Sequence, residues 1–264
     1  MDVHKAVNFA GVLIHALTYE AMFVQIDRWI QDKGTRSHHI ACINAYCVAL
    51  ALDSLYLASI YNSADIAGPD GMPFVYWIRW VQRRSCERFY APEIVSRLIA
   101  RSEHSGYTFY FYGGAPDVLE KMIEGLRGRH PYLRVVGSHS PPFRRLTEEE
   151  DRQICERINQ VSPDIVCVGL GTPKQDYWID EHLNKIPGSV MISCGATFDF
   201  FGGRVRMAPK AIQQMGLEWL FRFFGQDRTR LFRRYTVMHA RFLWNFGLQV
   251  FGRRHLEAKR LPRP

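Results

Sequence analysis

The chain has 264 residues, 47% of them apolar, six cysteines and a formal net charge of +8. That length and apolar content allow a full hydrophobic core and exclude an intrinsically disordered chain. The cysteines fall within apolar runs with no C-x-x-C pair, so they read as reduced core residues rather than a disulfide frame or a structural zinc site. The start of the chain lacks a basic n-region, a long apolar stretch and a small-residue cleavage pattern, so no signal peptide is expected.

In chain order, apolar runs bounded by turn residues predict strands at 8–14, 38–44, 65–69, 108–112, 133–137, 164–169 and 189–194. Helical periodicity predicts helices at 18–33, 72–83, 92–105, 116–129, 147–160 and 173–184. The stretch 40–60 has Asp53 as its only charge. Asn44, Asp53 and Ser54 interrupt it, which favours a strand and a buried helix over a membrane span. Strands alternating with helices of this length predict a doubly wound, mostly parallel, Rossmann-like α/β sheet.

The pattern changes after Cys194, and from Ala208 onward it is helical, aromatic and arginine-rich. Residues 1–203 carry 20 Lys+Arg against 23 Asp+Glu, whereas residues 204–264 carry 14 against 3. Two parts are therefore expected: an α/β catalytic domain over 1–203 and a helical, basic, membrane-associating appendage over 204–264.

The most informative motif is GLGTPKQD at 169–176, which follows the apolar run ending at Val168. Gly169 and Gly171 turn the chain where a parallel sheet binds ligands. Pro173 opens a helix whose first turn carries Lys174 and Gln175, placed to meet an anion or a sugar hydroxyl. Gly113 and Gly114 form a similar strand-to-helix turn ahead of Pro116, a phosphate cradle in which backbone N–H groups and the helix dipole favour an anion. Their spacing is not G-x-G-x-x-G, which disfavours a nicotinamide enzyme.

Asp70 ends the predicted strand 65–69 and can act as general base toward an acceptor hydroxyl, or simply cap a turn. Asn44 occupies the equivalent place after 38–44. In the Gly-rich segment 193–219, Thr197, Asp199, Arg204 and Arg206 are candidate pocket residues. No D-x-D motif occurs in the α/β part, and histidines are scattered singly. No metal or other cofactor is expected; if a nucleotide-sugar is used, the charge of its leaving diphosphate falls to arginine, lysine and backbone donors. In the tail, Trp219, Phe223, Leu231, Tyr235, Met238 and Phe242 interleave with arginines at helical spacing, which suggests binding to an anionic membrane surface. Nucleic-acid binding is not expected, because no nucleic-acid fold accompanies the basic tail.

Taken together, Asn44, the PDGMP segment at 69–73, Glu87-Arg88, Gly113-Gly114, PDIVCVGLGTPKQD, GATFDFFGG, MGLEWLFR and the LFRRY run ending at Tyr235 resemble, in their order, the WecG/TagA/CpsF glycosyltransferases of bacterial cell-surface polysaccharide synthesis. The resemblance runs from about Val7 to Leu243. It implies an inverting transferase moving a sugar, of N-acetylmannosamine or glucose type, from a UDP-sugar to an undecaprenyl-diphosphate-linked acceptor. It further implies a peripheral protein at the cytoplasmic face of the inner membrane, and is compatible with a homo-oligomer. Asp70 then matches the general base, Asn44 and Gln175 active-site polar positions, and Arg88 a substrate-binding position. Arg222, Arg230, Arg233 and Arg234 would serve the diphosphate or lipid head groups. The chain departs from the family pattern at Cys42, Ala91 and Met207, where Thr, Gly and Arg are usual, and across 226–230. A non-catalytic membrane-bound scaffold of a polysaccharide assembly complex is the alternative.

Overall fold

The computed structural model describes residues 6–218, 220–221, 236–253 and 256–261. Its six-stranded sheet is all parallel, in the order β4-β3-β8-β7-β5-β6, and is flanked by helices. The doubly wound α/β class expected from the alternating pattern is what the chain adopts. The strands are β3 (His38–Ile43), β4 (Ile66–Pro69), β5 (Thr108–Gly113), β6 (Arg134–His139), β7 (Ile165–Gly169) and β8 (Val190–Ser193), while β1 (Ala6–Phe9) and β2 (Val12–His15) form a separate antiparallel pair. β7 and β8 are buried along almost their whole length, as expected of interior parallel strands covered on both faces. β6 is an edge strand and alternates between exposed and half-buried residues.

By contacts the chain forms two compact units. One comprises Met1–Thr18, Ala41–Tyr90 and Met207–Pro264; the other comprises Tyr19–Ile40 and Ala91–Arg206. Strand β3 runs from the second into the first.

In the first unit, Asn44 caps helix α2 (Ala45–Ala51) and Ser54 caps α3 (Leu55–Ser63). Each supplies a side-chain acceptor to backbone N–H groups that would otherwise be unpaired. The predicted strand 8–14 is a hairpin instead. Ala10 and Gly11 turn it with φ of 51° and 93°, and the Asn8 side chain accepts from the Gly11 N–H at 2.8 Å. The predicted helix 72–83 is α4 (Met72–Tyr76) followed by a wider π-helical turn at Trp77–Val81, where Tyr76 and Trp80 stack at 4.7 Å. The C-terminal segment belongs to this unit. After the short α10 (Lys210–Gln214), its α11 (Met238–Val250) sets Phe242 and Phe246 against an aromatic cluster with Phe9 and Phe74, at centroid distances of 4.8–5.2 Å. Gln249 bonds Ala10 N and Asn8 O of the hairpin.

The second unit contains α1 (Tyr19–Asp32), α5 (Ala91–Ser105), α6 (Pro116–Arg129), α7 (Glu148–Val161), α8 (Lys174–His182) and α9 (Thr197–Phe201). α7 opens on a capping box between Thr147 and Glu150. Under it lies a core of Tyr112, Ile158, Val166, Val168, Trp178, Ile179 and Met191. All six cysteines are unbridged, and all but Cys42 are buried. No helix among the described residues is long and apolar enough to cross a membrane.

Candidate functional site

Open parallel sheets bind ligands beyond the carboxyl ends of their strands. In the first unit, β3 and β4 end on Asn44 and Asp70, and the Asp70 N–H bonds Ile43 O at 2.7 Å, which ties the two ends together. Asn44 does two jobs. Its Oδ1 accepts from Tyr46 N and Cys47 N at 3.1 and 3.2 Å, and its Nδ2 donates to Asp70 Oδ2 at 3.4 Å. The other Asp70 oxygen, Oδ1, accepts from Arg88 Nη2 at 3.2 Å. Both carboxylate oxygens are thus oriented, and the side chain stays 20% exposed, open to a ligand.

Arg88 is held on every side. Its Nε donates to the Asp70 carbonyl at 2.5 Å, its Nη1 to the Gln213 carbonyl at 3.2 Å, and its Nη2 also to Glu218 Oε2. The guanidinium lies 4.5 Å from the Tyr90 ring centre. Burial acts against the charge on Arg88, but Asp70 and Glu218 outweigh it and keep its pKa above the ordinary value. Burial raises the Glu218 pKa, partly opposed by Arg88. It also raises the Tyr90 pKa, so this phenol stays protonated. Glu218 and Tyr90 were missed in the sequence. Glu218 lies 130 positions from Arg88, and no local spacing announces the pair.

In the second unit, the ends of β5 and β7 touch through glycines. Gly113 has φ of 119°, and a Cβ there would meet the Gly169 carbonyl carbon at 2.6 Å. A Cβ on Gly169 would in turn meet the Phe198 ring at 2.7 Å. Gly114 N donates to Gly169 O at 3.2 Å. α6 begins with Pro116 and has no side-chain cap, so its first N–H groups are available to an anion. A groove of about 520 Å³ opens beside it, lined by Ala115, Lys121, Phe143, Gly203 and Arg204 among others.

The GLGTPKQD turn is built more tightly than its sequence suggests. The Thr172-Pro173 peptide is cis, and Pro173 precedes the helix, which begins at Lys174. Gln175 is buried; its Oε1 accepts from Gly171 N at 3.2 Å and Gly195 N at 2.9 Å, and its Nε2 donates to Thr172 Oγ1 at 3.3 Å. It ties the loop after β7 to the loop after β8. Lys174 is exposed. Asp176 is buried and accepts from Ser193 Oγ at 3.0 Å, which is 3.2 Å from His39 Nε2; this polar chain was not foreseen. Thr197 is buried, with its hydroxyl donating to Cys194 O at 2.6 Å. Asp199 lies 3.8 Å from Arg204, and both are partly exposed.

The structure thus brings Asn44, Asp70 and Arg88 into contact in one unit, and joins Gly113, Gly114, Gly169, Gly171 and Gln175 through adjoining loops in the other. Arg222, Arg230, Arg233 and Arg234 lie outside the described residues. The model of the Glycosyl transferase WecG/TagA/CpsF family matches residues 7–256, so the chain belongs to that family and is a glycosyltransferase of cell-surface polysaccharide synthesis.

Proposed function

We propose that this glycosyltransferase uses Asp70 as general base in an inverting transfer from a UDP-sugar to a sugar on an undecaprenyl diphosphate carrier. The observation that carries the reading is the double hold on the Asp70 carboxylate by Asn44 and Arg88 at the end of β4. Asp70 accepts the proton of an acceptor hydroxyl, whose oxygen attacks the anomeric carbon. The bond from that carbon to the UDP oxygen breaks, the sugar inverts, and UDP leaves as the anion. The bound proton then passes to solvent. In the other unit, the uncapped start of α6, with Lys121 and Arg204 beside it, suits an anion such as a diphosphate. Gln175 shapes the neighbouring turn, and Lys174 remains available to the ligand.

The basic tail supplies the second half of the reading. α11 exposes Leu243, Trp244 and Val250, with Phe251 immediately after it, and 14 Lys+Arg fall within residues 204–264. Apolar and aromatic side chains beside dense positive charge suit an anionic membrane surface at the cytoplasmic face, where a lipid-linked acceptor resides. Arg222, Arg230, Arg233 and Arg234 would then meet the acceptor diphosphate or lipid head groups. Screening UDP-sugars against a short-chain lipid diphosphate acceptor tests the reading. Transfer with inversion is expected from one donor class; no transfer from any donor would favour the scaffold alternative.

A further inference from the structure

One cluster in the second unit has no part in the site above. On α7, Asp151 and Cys155 are four residues apart and so share a face. His182, at the end of α8, reaches that face with its ring 1% exposed. Among the described residues, these three bring one carboxylate oxygen, one sulfur and one ring nitrogen within 4.8 Å of one another.

The hydrogen bonds of His182 define what can stand between them. Its Nδ1 is 2.6 Å from the Trp178 carbonyl oxygen, which only accepts, so Nδ1 carries a hydrogen. Its Nε2 is 2.8 Å from Asp151 Oδ1, also an acceptor. A neutral ring would then aim a lone pair at a carboxylate oxygen, and a cation must lie between the two. A proton would serve and would need only Asp151. The sulfur of Cys155 at the same point is the surplus feature, and it suits a soft divalent ion. The surroundings fit one as well. A metal-bound histidine commonly donates its second N–H to a carbonyl, as His182 does to Trp178. A metal-bound carboxylate commonly has its other oxygen held, as Lys185 Nζ holds Asp151 Oδ2 at 3.0 Å. The ring is fixed further by stacking on Trp178 at 4.1 Å, and Trp178 stacks on Tyr112 at 4.2 Å.

We propose that Asp151, Cys155 and His182 form a binding site for a zinc-class divalent ion that pins the end of α8 to α7. Asp151 carboxylate, Cys155 thiolate and neutral His182 cancel the 2+ charge, with Lys185 an extra positive group on Asp151. Three protein ligands leave a fourth position for water, which the partly exposed Asp151 admits. A tetrahedral ion sets its ligand atoms roughly 3.3–3.6 Å apart, so loading would open the 2.8 Å contact of Nε2 with Oδ1 and draw in any pair nearer the 4.8 Å bound. The expected absence of a zinc site rested on cysteine spacing. It missed this cluster because the ligands come from two helices and only one is a cysteine.

The test uses the full, untagged chain, stripped with chelator and titrated with Co²⁺ and then with Zn²⁺ against a chromogenic competitor. One equivalent should bind, with a thiolate-to-cobalt charge-transfer band and the intense visible bands of tetrahedral cobalt. Cys155→Ser should abolish the charge-transfer band and weaken binding by roughly 10–100-fold. His182→Gln should weaken it similarly; if that variant does not fold, the unsubstituted protein and Cys155→Ser still decide the matter. No saturable binding, or a charge-transfer band that survives Cys155→Ser, would overturn the proposal. So would nitrogen NMR showing both ring nitrogens of His182 protonated in metal-saturated protein, since a proton then fills the place assigned to the ion.

Discussion

Arg88 grips Asp70 twice, through Nε to its carbonyl at 2.5 Å and through Nη2 to its carboxylate at 3.2 Å, while the same Nη2 also reaches Glu218. One guanidinium therefore balances two carboxylates. Removing it leaves both partly buried and unpaired, so Arg88→Met should cost about 2–3 kcal/mol of stability, discounted from a fully buried pair because the groups keep some solvent. Arg88→Lys should also fail, because a single ammonium cannot supply the fork.

The sign of the pH effect follows from Glu218. Its folded pKa is raised, chiefly by burial, so its contribution to stability is complete below the ordinary glutamate value of about 4.5 and is lost as pH rises through the folded value. Without Arg88 that loss deepens. Denaturant unfolding of Arg88→Met should show a defect that grows from pH 5 to pH 8, on the order of 1 kcal/mol, and that Glu218→Gln partly rescues. A defect independent of pH, with no rescue, would contradict the shared role.

Glycines at the strand ends separate steric from conformational demands. Gly113→Ala meets the Gly169 backbone at 2.6 Å with φ of 119°, and should cost about 3 kcal/mol or more. Gly171→Ala has open space around it but φ of 78°, so strain alone should cost about 1 kcal/mol. Equal stability of the two variants would show that the β5–β7 glycine contact is not tight.

Gln175 invites a substitution that keeps its volume. Gln175→Met removes the acceptor shared by Gly171 N and Gly195 N, and leaving those N–H groups unpaired should cost about 2–4 kcal/mol. If stability is unchanged while donor KM rises, the side chain touches substrate directly rather than through the loops it ties.

The capping box of α7 gives a second pH signature. Glu150 accepts from Arg144 at 2.6 and 2.7 Å and from Thr147 N at 2.9 Å, and these bonds hold its pKa down to about 2. A lowered carboxylate contributes stability above its ordinary value of about 4.5, and loses it as pH falls toward about 2. The difference in melting temperature between the wild type and Glu150→Gln should therefore narrow over that interval. At neutral pH, Thr147→Ala should cost about 1 kcal/mol, or roughly 2–4 °C.

Much of this was legible in the chain itself. The parallel strands announce themselves as apolar runs ending in Asn44, Asp70, Gly113 and Gly169, because these four are buried along nearly their whole length and turn sharply at their ends. The β1–β2 hairpin was not legible, since its turn uses Ala10 and Gly11 in place of the usual Asn-Gly. The π-helical turn after Tyr76 escaped for a similar reason: its residues are ordinary helix formers. Gln175 was found, but not its inward use, which depends on a loop 20 residues on. Glu218 and the Asp151–Cys155–His182 cluster are products of tertiary folding, joining residues that no sequence period relates.

Asp70→Asn tests most directly whether Asp70 is the base of the glycosyl transfer. With the donor and lipid-linked acceptor that the unsubstituted chain uses, transfer should fall by roughly 10²–10⁴-fold while the melting temperature and UDP affinity stay near those of the wild type. Near-normal transfer by Asp70→Asn would contradict the account.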